Sequence, residues 1–305
     1  MGRPRLLVTG ASGFVGAAIT KAAVAAGGDV VALVRSGGSR LAGIGQSVSL
    51  QRVDLSDAPS VAELIGSVRP DVVIHSAWEG VGGALRSDDI QFENIRTTVA
   101  LADAAIAAGT RKFVGIGSQA EYGRYDRRII EDDLPRPTML YGAAKLAANH
   151  LAAQRCGEAE VAFAWLRLFS VYGPGDNPNW MIPSTAAALV RGSRPRCTQG
   201  TQKWDYLHID DVAEGVLAVA RSDRANGVFN LSSGDAVEVR KIVEMLRDLA
   251  APGLDLTFGD IPFAPNQIMH LEGDNGRLRE ATGWEARISL GEGLRQVVDE
   301  LRMAA

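Results

Sequence analysis

Hydrophobic and polar positions fall into regular blocks along the first half of the chain. Short, almost wholly apolar runs of strand length occur at Arg5 to Thr9, Asp29 to Val34, Val48 to Val53, Asp71 to His75, Lys112 to Gly117 and Val161 to Phe169. Between them lie alanine-rich stretches of helical length, at Phe14 to Ala26, Pro59 to Val68, Ile90 to Ala108 and Thr138 to Arg155. Strands that are apolar without alternation are covered on both faces, and strands separated by helices run parallel. The pattern predicts an α/β fold with a doubly wound parallel sheet over residues 1–172. After Tyr172 the blocks shorten: GPGDNPNW breaks the rhythm, and Pro183, Pro195, Pro252, Pro262 and Pro265 punctuate the remainder of the chain. Residues 173–305 are expected to form mainly a smaller, irregular substrate lobe, with runs such as Val228 to Leu231 returning to the first sheet.

Composition narrows the function classes. A chain of 305 residues that is 46% hydrophobic and 22% charged is long and apolar enough to bury a large core, which argues against disorder. Lys plus Arg number 32 against 36 Asp plus Glu, a net charge of −4 with no basic block, so neither nucleic acid nor an anionic membrane is implied as a partner. Cys156 and Cys197 show neither disulfide-framework nor zinc spacing, and His75 and His208 lack partners at metal-ligand spacing. No metal site is expected, and both histidines read as structural. The start of the chain lacks a signal-peptide core, and Met1-Gly2 lacks the Ser/Thr at position 6 that a myristoylation signal uses. No apolar run of about 18 residues occurs, so a soluble, cytoplasmic protein is expected.

Chemistry enters at the first turn. Leu6, Leu7 and Val8 lead into Gly10-Ala-Ser-Gly13-Phe-Val-Gly16 and then into a helix, the order of strand, glycine turn and helix that a dinucleotide-binding Rossmann fold requires. Gly10 permits the tight turn, Gly13 opens the backbone to a pyrophosphate, and Gly16 lets helix and strand approach, with Ser12, Phe14 and Val15 completing the loop. An NAD site carries an acid roughly 20 residues further on to hold the ribose 2′-hydroxyl. Here that place reads Val34-Arg35-Ser36, with Arg40 following. Arginine attracts a 2′-phosphate, which favours NADP(H) over NAD(H), unless Arg35 merely ends a strand in solvent. Asp54 and Leu55 close the third strand where adenine would lie, although Asp54 serves equally well as a helix cap.

Tyr141 and Lys145 are four apart in MLYGAAKLAANH, so a helix presents both on one face. An ammonium near a phenol favours the phenolate and equips the tyrosine to exchange a proton with a carbonyl or hydroxyl. The strand KFVGIG ends in Ser118, at the sheet edge where ligands bind. Gly10xxGly13xxGly16, Asn94, Ser118 followed by Glu121-Tyr122-Gly123, and Tyr141xxxLys145 together resemble the extended short-chain dehydrogenase/reductase family of NAD(P)-dependent nucleotide-sugar epimerases, dehydratases and reductases. The resemblance spans nearly the whole chain, through LRLFSVYGPGD, WDYLHIDDVAEGV, VFNLSSG and GDNGRLREATGW. It implies Tyr141 as acid/base, Lys145 as ribose binder and modifier of Tyr141, and Ser118 as donor to the substrate oxygen. Asn94 would support the lysine through water, Ala77 would lie against the cofactor, and Phe169 near the nicotinamide, with Ser170 where many relatives have asparagine.

The same resemblance bears on the reaction. Dehydratases of the family place Asp-Glu immediately after the serine, and relatives that epimerise beside a ketone place a cysteine two positions after it; here the residues are Gln119 and Ala120. Hydride transfer with a Tyr141 proton remains, either as reduction of a keto-sugar or as 4-epimerisation through a transient ketone. GSQAEYG and KWDY resemble the 4-ketoreductases of nucleotide-linked 4-keto-6-deoxyhexoses, and Trp204 stands where an arginine often clamps the diphosphate. Candidate contacts to a nucleoside-diphosphate sugar are Gln119, Asn179, Trp180, Met181, Arg196, Lys203, Trp204 and Arg240. A non-catalytic NADP(H)-responsive regulator on the same fold would be expected to lose Tyr141 or Lys145. The alanine-rich helices Asn94 to Ala108 and Tyr141 to Arg155 suggest a homodimer through a four-helix bundle, with Ala104 and Ala148 on its face.

Overall fold

The computed structural model describes residues 4–37, 39–44 and 48–304. The Met1-Gly2 start lies outside them. In chain order the first unit comprises β1 (Arg5–Thr9), α1 (Phe14–Ala25), β2 (Asp29–Val34), β3 (Ser49–Arg52), α2 (Ala58–Val68), β4 (Val72–His75), α3 (Ile90–Ala107), β5 (Lys112–Ser118), α4 (Leu140–Glu158) and β6 (Ala162–Leu168). There follow β7 (Ser170–Tyr172), α5 (Met181–Val190), β8 (Lys203–His208), α6 (Ile209–Arg221), β9 (Gly227–Leu231), β10 (Ala236–Glu238), α7 (Val239–Ala250), β11 (His270–Leu271), α8 (Gly276–Thr282) and α9 (Leu290–Ala304).

Seven strands form a parallel sheet in the order β3-β2-β1-β4-β5-β6-β9. Alternation along each strand decides which helix layer it meets. Leu6 and Val8 of β1, Val30 and Ala32 of β2 and Val114 of β5 face one core with Ile19 of α1 and Val212, Val216 and Val219 of α6. Leu7, Val31, Val73 and Phe113 face the opposite core with Val61 and Ile65 of α2, Leu101 and Ala105 of α3 and Ala148 and Ala152 of α4. The second layer corrects one expectation: Ala148 is fully buried and Ala104 nearly so, because the small faces of α3 and α4 press onto the sheet. The strand at 228–231 does rejoin the main sheet, as β9 beside β6.

A smaller sheet is centred on β8, which pairs in parallel with β7 and β11 and antiparallel with β10. Its apolar core comes from Ile182 and Leu189 of α5, Ile242 and Leu246 of α7, and Leu294, Val297 and Val298 of α9. Asp205 ties this lobe to the main sheet's edge: its buried carboxylate accepts from the backbone N–H groups of Ser233, Gly234 and Gly273. No helix of the described residues is long and apolar enough to cross a membrane.

Candidate active site

The sheet order reverses direction between β1 and β4, which opens a crevice at the carboxyl ends of these strands. Gly10 turns out of β1 at φ +65°, and a Cβ there would stand 2.7 Å from the Cα of Ala77 beyond β4. The crevice floor is thus two backbones in contact. Gly13 caps α1 without any side-chain hydrogen bond, which leaves the helix's first N–H groups open to an anion. A pyrophosphate fits this cradle. Arg40 is already engaged beside it, donating to the carbonyls of Ser12 (3.4 Å) and Gly175 (3.0 Å). Val15 packs into the α1 core and Leu55 against the opposite one. Asp54 is exposed, and bonds from the Ser56 N–H and hydroxyl hold its carboxyl below the usual range.

Ser118 ends β5, and Tyr141 and Lys145 open α4. Gly142 lets them converge, because a Cβ there would run into the Ala120 carbonyl and push α4 away from Ser118. The Ser118 side chain acts on the Tyr141 phenol, and both residues are buried. Burial pushes the phenol up, against the pull of Ser118 and of the Arg86 cation. Lys145 donates to the Ile116 carbonyl at 2.6 Å and lies 3.7 Å from the centroid of the Trp78 ring. Burial pushes its ammonium down to about 7, opposed by Glu121. Glu121 is itself fully buried and bound on every side: it accepts from the Ser118 N–H (2.9 Å), the Trp165 indole (2.9 Å) and Arg167 (2.8 Å).

The segment after β4 lies across this site as a strap. Trp78 sits edge-on to Tyr141, the Glu79 carboxylate pairs with Arg35, and Arg86 places its guanidinium 4.6 Å from the Tyr141 ring centroid. Two polar residues of α3 anchor the strap. Buried Gln91 accepts from the Trp78 indole (2.9 Å) and donates to the carbonyls of Gly80 and Leu85. Asn94, which the resemblance places behind Lys145 through water, grips the Glu79 backbone at both its N–H and its C=O, each at 2.9 Å. Arg35 meets a carboxylate where a free cation was expected. Sequence reading missed Glu79, Arg86 and Gln91 and took Trp78 only as a neighbour of Ala77; the one available signal was the polar series Gln91, Asn94 and Thr98 on one buried helix face.

The expected substrate residues divide. Gln119 follows Ser118 directly, with its side-chain oxygen buried and without a partner among the described residues. Trp180 precedes α5 and reaches the strap, its ring 3.3 Å from where a Gly82 Cβ would stand. Trp204 stacks on Tyr206 with a buried indole N–H that has no partner among the described residues. Asn179 and Lys203 are exposed. Arg196 donates to the Asp260 carbonyl, Arg240 covers the Phe258 ring and donates to the Gln199 carbonyl, and Met181 packs in the second lobe's core. Phe169 is a core residue beside Tyr122, Ile129 and Leu271. His75 is satisfied on both ring nitrogens by Thr9 and Thr98, and burial pushes it down to about 3. His208 is buried with Nδ1 accepting from the Asp210 N–H and Nε2 without a partner among the described residues.

Comparison with known proteins places this geometry. The model of the NAD dependent epimerase/dehydratase family matches residues 6–232, which include the glycine turn, the strap and the Ser118, Tyr141 and Lys145 cluster. The chain belongs to this family. Members of this extended short-chain dehydrogenase/reductase type are NAD-dependent oxidoreductases and epimerases. A dTDP-glucose 4,6-dehydratase of Streptomyces griseus is 29% identical over 96% of this chain and 92% of its own length. A GDP-6-deoxy-D-mannose reductase of Pseudomonas aeruginosa is 28% identical over 97% and 96%. Among solved structures, MoeE5 in complex with UDP-glucuronic acid and NAD superposes with a TM-score of 0.85 at 32% identity, covering 100% of both chains. The Rossmann sheet of the family is the seven-stranded sheet of this chain.

Proposed function

We propose that this family member transfers a hydride between a nicotinamide coenzyme and a nucleotide-linked hexose, reducing a 4-keto-6-deoxy sugar with Tyr141 as proton donor. The observation that carries the reading is the buried Tyr141 and Ser118 pair at the carboxyl edge of β5, followed by Gln119 and Ala120 rather than by a further acid, base or thiol. Elimination of water needs such additional groups. The coenzyme supplies the hydride. Ser118 holds the sugar oxygen, Tyr141 delivers the proton to it, and Lys145 and the Glu121 cluster fix the two side chains. Gln119, with its free buried oxygen, is placed to accept from a neighbouring sugar hydroxyl.

Arg35, with no acid at Val34, supports NADP(H) over NAD(H), although Glu79 now shares its charge. A second copy of the chain is the proposed partner. With Ala104 and Ala148 in the core, the bundle face falls instead to exposed Phe92 of α3 and Leu151 of α4. The test is a panel of nucleoside-diphosphate 4-keto-6-deoxyhexoses with NADPH and NADH, followed by product mass and stereochemistry. Coenzyme consumed in step with product establishes a reductase; product without net consumption would make the enzyme a 4-epimerase.

A further inference from the structure

The strap residue Arg86 has no role in hydride or proton transfer as proposed, and its surroundings are unusual for an arginine. It lies in a short helical turn, Gly83–Ser87, whose Leu85 carbonyl is held by Gln91. Its guanidinium stands over the Tyr141 ring, its Nε is buried without a partner, and among the described residues no carboxylate pairs with it. We propose that Arg86 is a positioning residue for Tyr141, supplying from the strap side the permanent positive charge that keeps the buried tyrosine able to ionise.

The groups that act on Tyr141, and its helix neighbour Lys145, come from three elements. Lys145 lies one turn on in α4, Ser118 and Glu121 at the end of β5, Trp78 on the strap, and Arg86 above the ring. Glu121 opposes ionisation, Trp78 is neutral, and Ser118 offers one hydroxyl. The two cations are not equivalent. Lys145 is engaged by the Ile116 carbonyl and the Trp78 ring face, and burial pushes its ammonium down. An arginine keeps its charge at every working pH. A cation over an aromatic face is attracted to the ring, and more strongly once that ring carries a phenolate.

This inference rests on Tyr141 as the acid/base, so the experiment separates the two. Arg86→Met, Arg86→Lys and Tyr141→Phe are compared by the pH profile of kcat/KM in the alcohol-to-ketone direction, where tyrosine must be ionised, together with coenzyme Kd by quenching of protein fluorescence. Arg86→Met is expected to move the lower limb of the profile up by about one unit, to reduce kcat at pH 7 roughly tenfold, and to leave coenzyme Kd within about twofold. Arg86→Lys is expected to recover most of the shift. An unshifted limb in an Arg86→Met enzyme that still binds coenzyme overturns the proposal; an active Tyr141→Phe enzyme overturns the reading of Tyr141 instead. Should no sugar nucleotide turn over, phenolate absorbance is titrated to about pH 12 as the difference between each protein and its Tyr141→Phe counterpart. A later ionisation without Arg86 supports the proposal, and identical behaviour with and without it overturns it.

Discussion

Replacing Glu79 by glutamine should turn the enzyme toward NADPH. The Arg35 guanidinium at the end of β2 is paired with Glu79 on the strap, so an arriving 2′-phosphate must share or displace that partner. Both side chains are largely exposed, at 66% and 51%, and a pair of that kind contributes only about 0–1 kcal/mol once solvent screening is included. The lost carboxylate also ceases to repel the phosphate; two unit charges about 4 Å apart in water interact by about 1 kcal/mol, less in salt. Together these terms favour the phosphorylated coenzyme by about 1 kcal/mol, roughly a fivefold change. The backbone should not move, because Asn94 holds the Glu79 N–H and C=O independently of its side chain. The assay is kcat/KM for NADPH and for NADH, or Kd by fluorescence of the reduced coenzymes, at two salt concentrations. Glu79→Gln is expected to raise the NADPH:NADH ratio by that factor with NADH nearly unchanged, and Arg35→Ala to lower it. A ratio that stays within twofold, or a parallel change in both coenzymes, refutes the placement of the 2′-phosphate at this pair.

Tyr141→Phe should retain coenzyme binding and lose roughly 10² to 10⁴ in kcat, and turnover close to wild type would remove Tyr141 from the chemistry. The His75 ring stays neutral down to about pH 3 in the folded protein, while in the unfolded chain it takes a proton near 6.5. Stability is therefore lost as pH falls below 6.5, by about 1.4 kcal/mol from this group at pH 5.5; urea melts between pH 7.5 and 5.5 should show a shallower pH slope for His75→Gln, and equal slopes would contradict the assignment. Glu121→Ala should cost about 3–5 kcal/mol, since it leaves Arg167 buried without its counter-charge; removing Arg167 as well should give a loss below the sum of the two, and strict additivity in urea melts would speak against the pairing. Leu151→Glu, on the exposed face of α4, should convert a dimer to a folded monomer in sedimentation velocity; a wild-type chain that already sediments as a fully active monomer would dispose of the dimer.

The main sheet was legible because its strands are buried on both faces, and such strands carry unbroken apolar runs whatever their neighbours. Arg5–Thr9 and Asp29–Val34 match the predicted bounds, and the four predicted helices differ from α1 to α4 by three residues or fewer at either end. The second lobe was not legible at that level. Its strands β7, β10 and β11 are three, three and two residues long, too short for any periodicity to register, and their pairing depends on β8, distant in sequence. The glycines of KFVGIGS also read differently in three dimensions. They look like weak points in a strand, yet Gly115 and Gly117 leave the room that the Trp165 side chain from β6 occupies, and that indole then reaches Glu121.

The site shows the same division at the scale of single side chains. Ser118, Tyr141 and Lys145 project from the end of a strand and the face of a helix, so their spacing is dictated by backbone geometry and can be read from residue numbers. Trp78, Glu79 and Arg86 belong to a segment without a repeating conformation, and side-chain bonding to Gln91 and Asn94 of α3 fixes them rather than any period in their own sequence. Both sets converge on the same crevice: the first where the sugar oxygen is proposed to react, the second on the residues expected to hold the coenzyme and to ionise. A strap of this kind can change residue by residue without disturbing the sheet, because its anchors are backbone carbonyls, one backbone N–H and one indole. The proposed control of coenzyme choice by Glu79 and of Tyr141 ionisation by Arg86 can therefore vary while Ser118, Tyr141 and Lys145 keep the positions that the sheet and α4 impose.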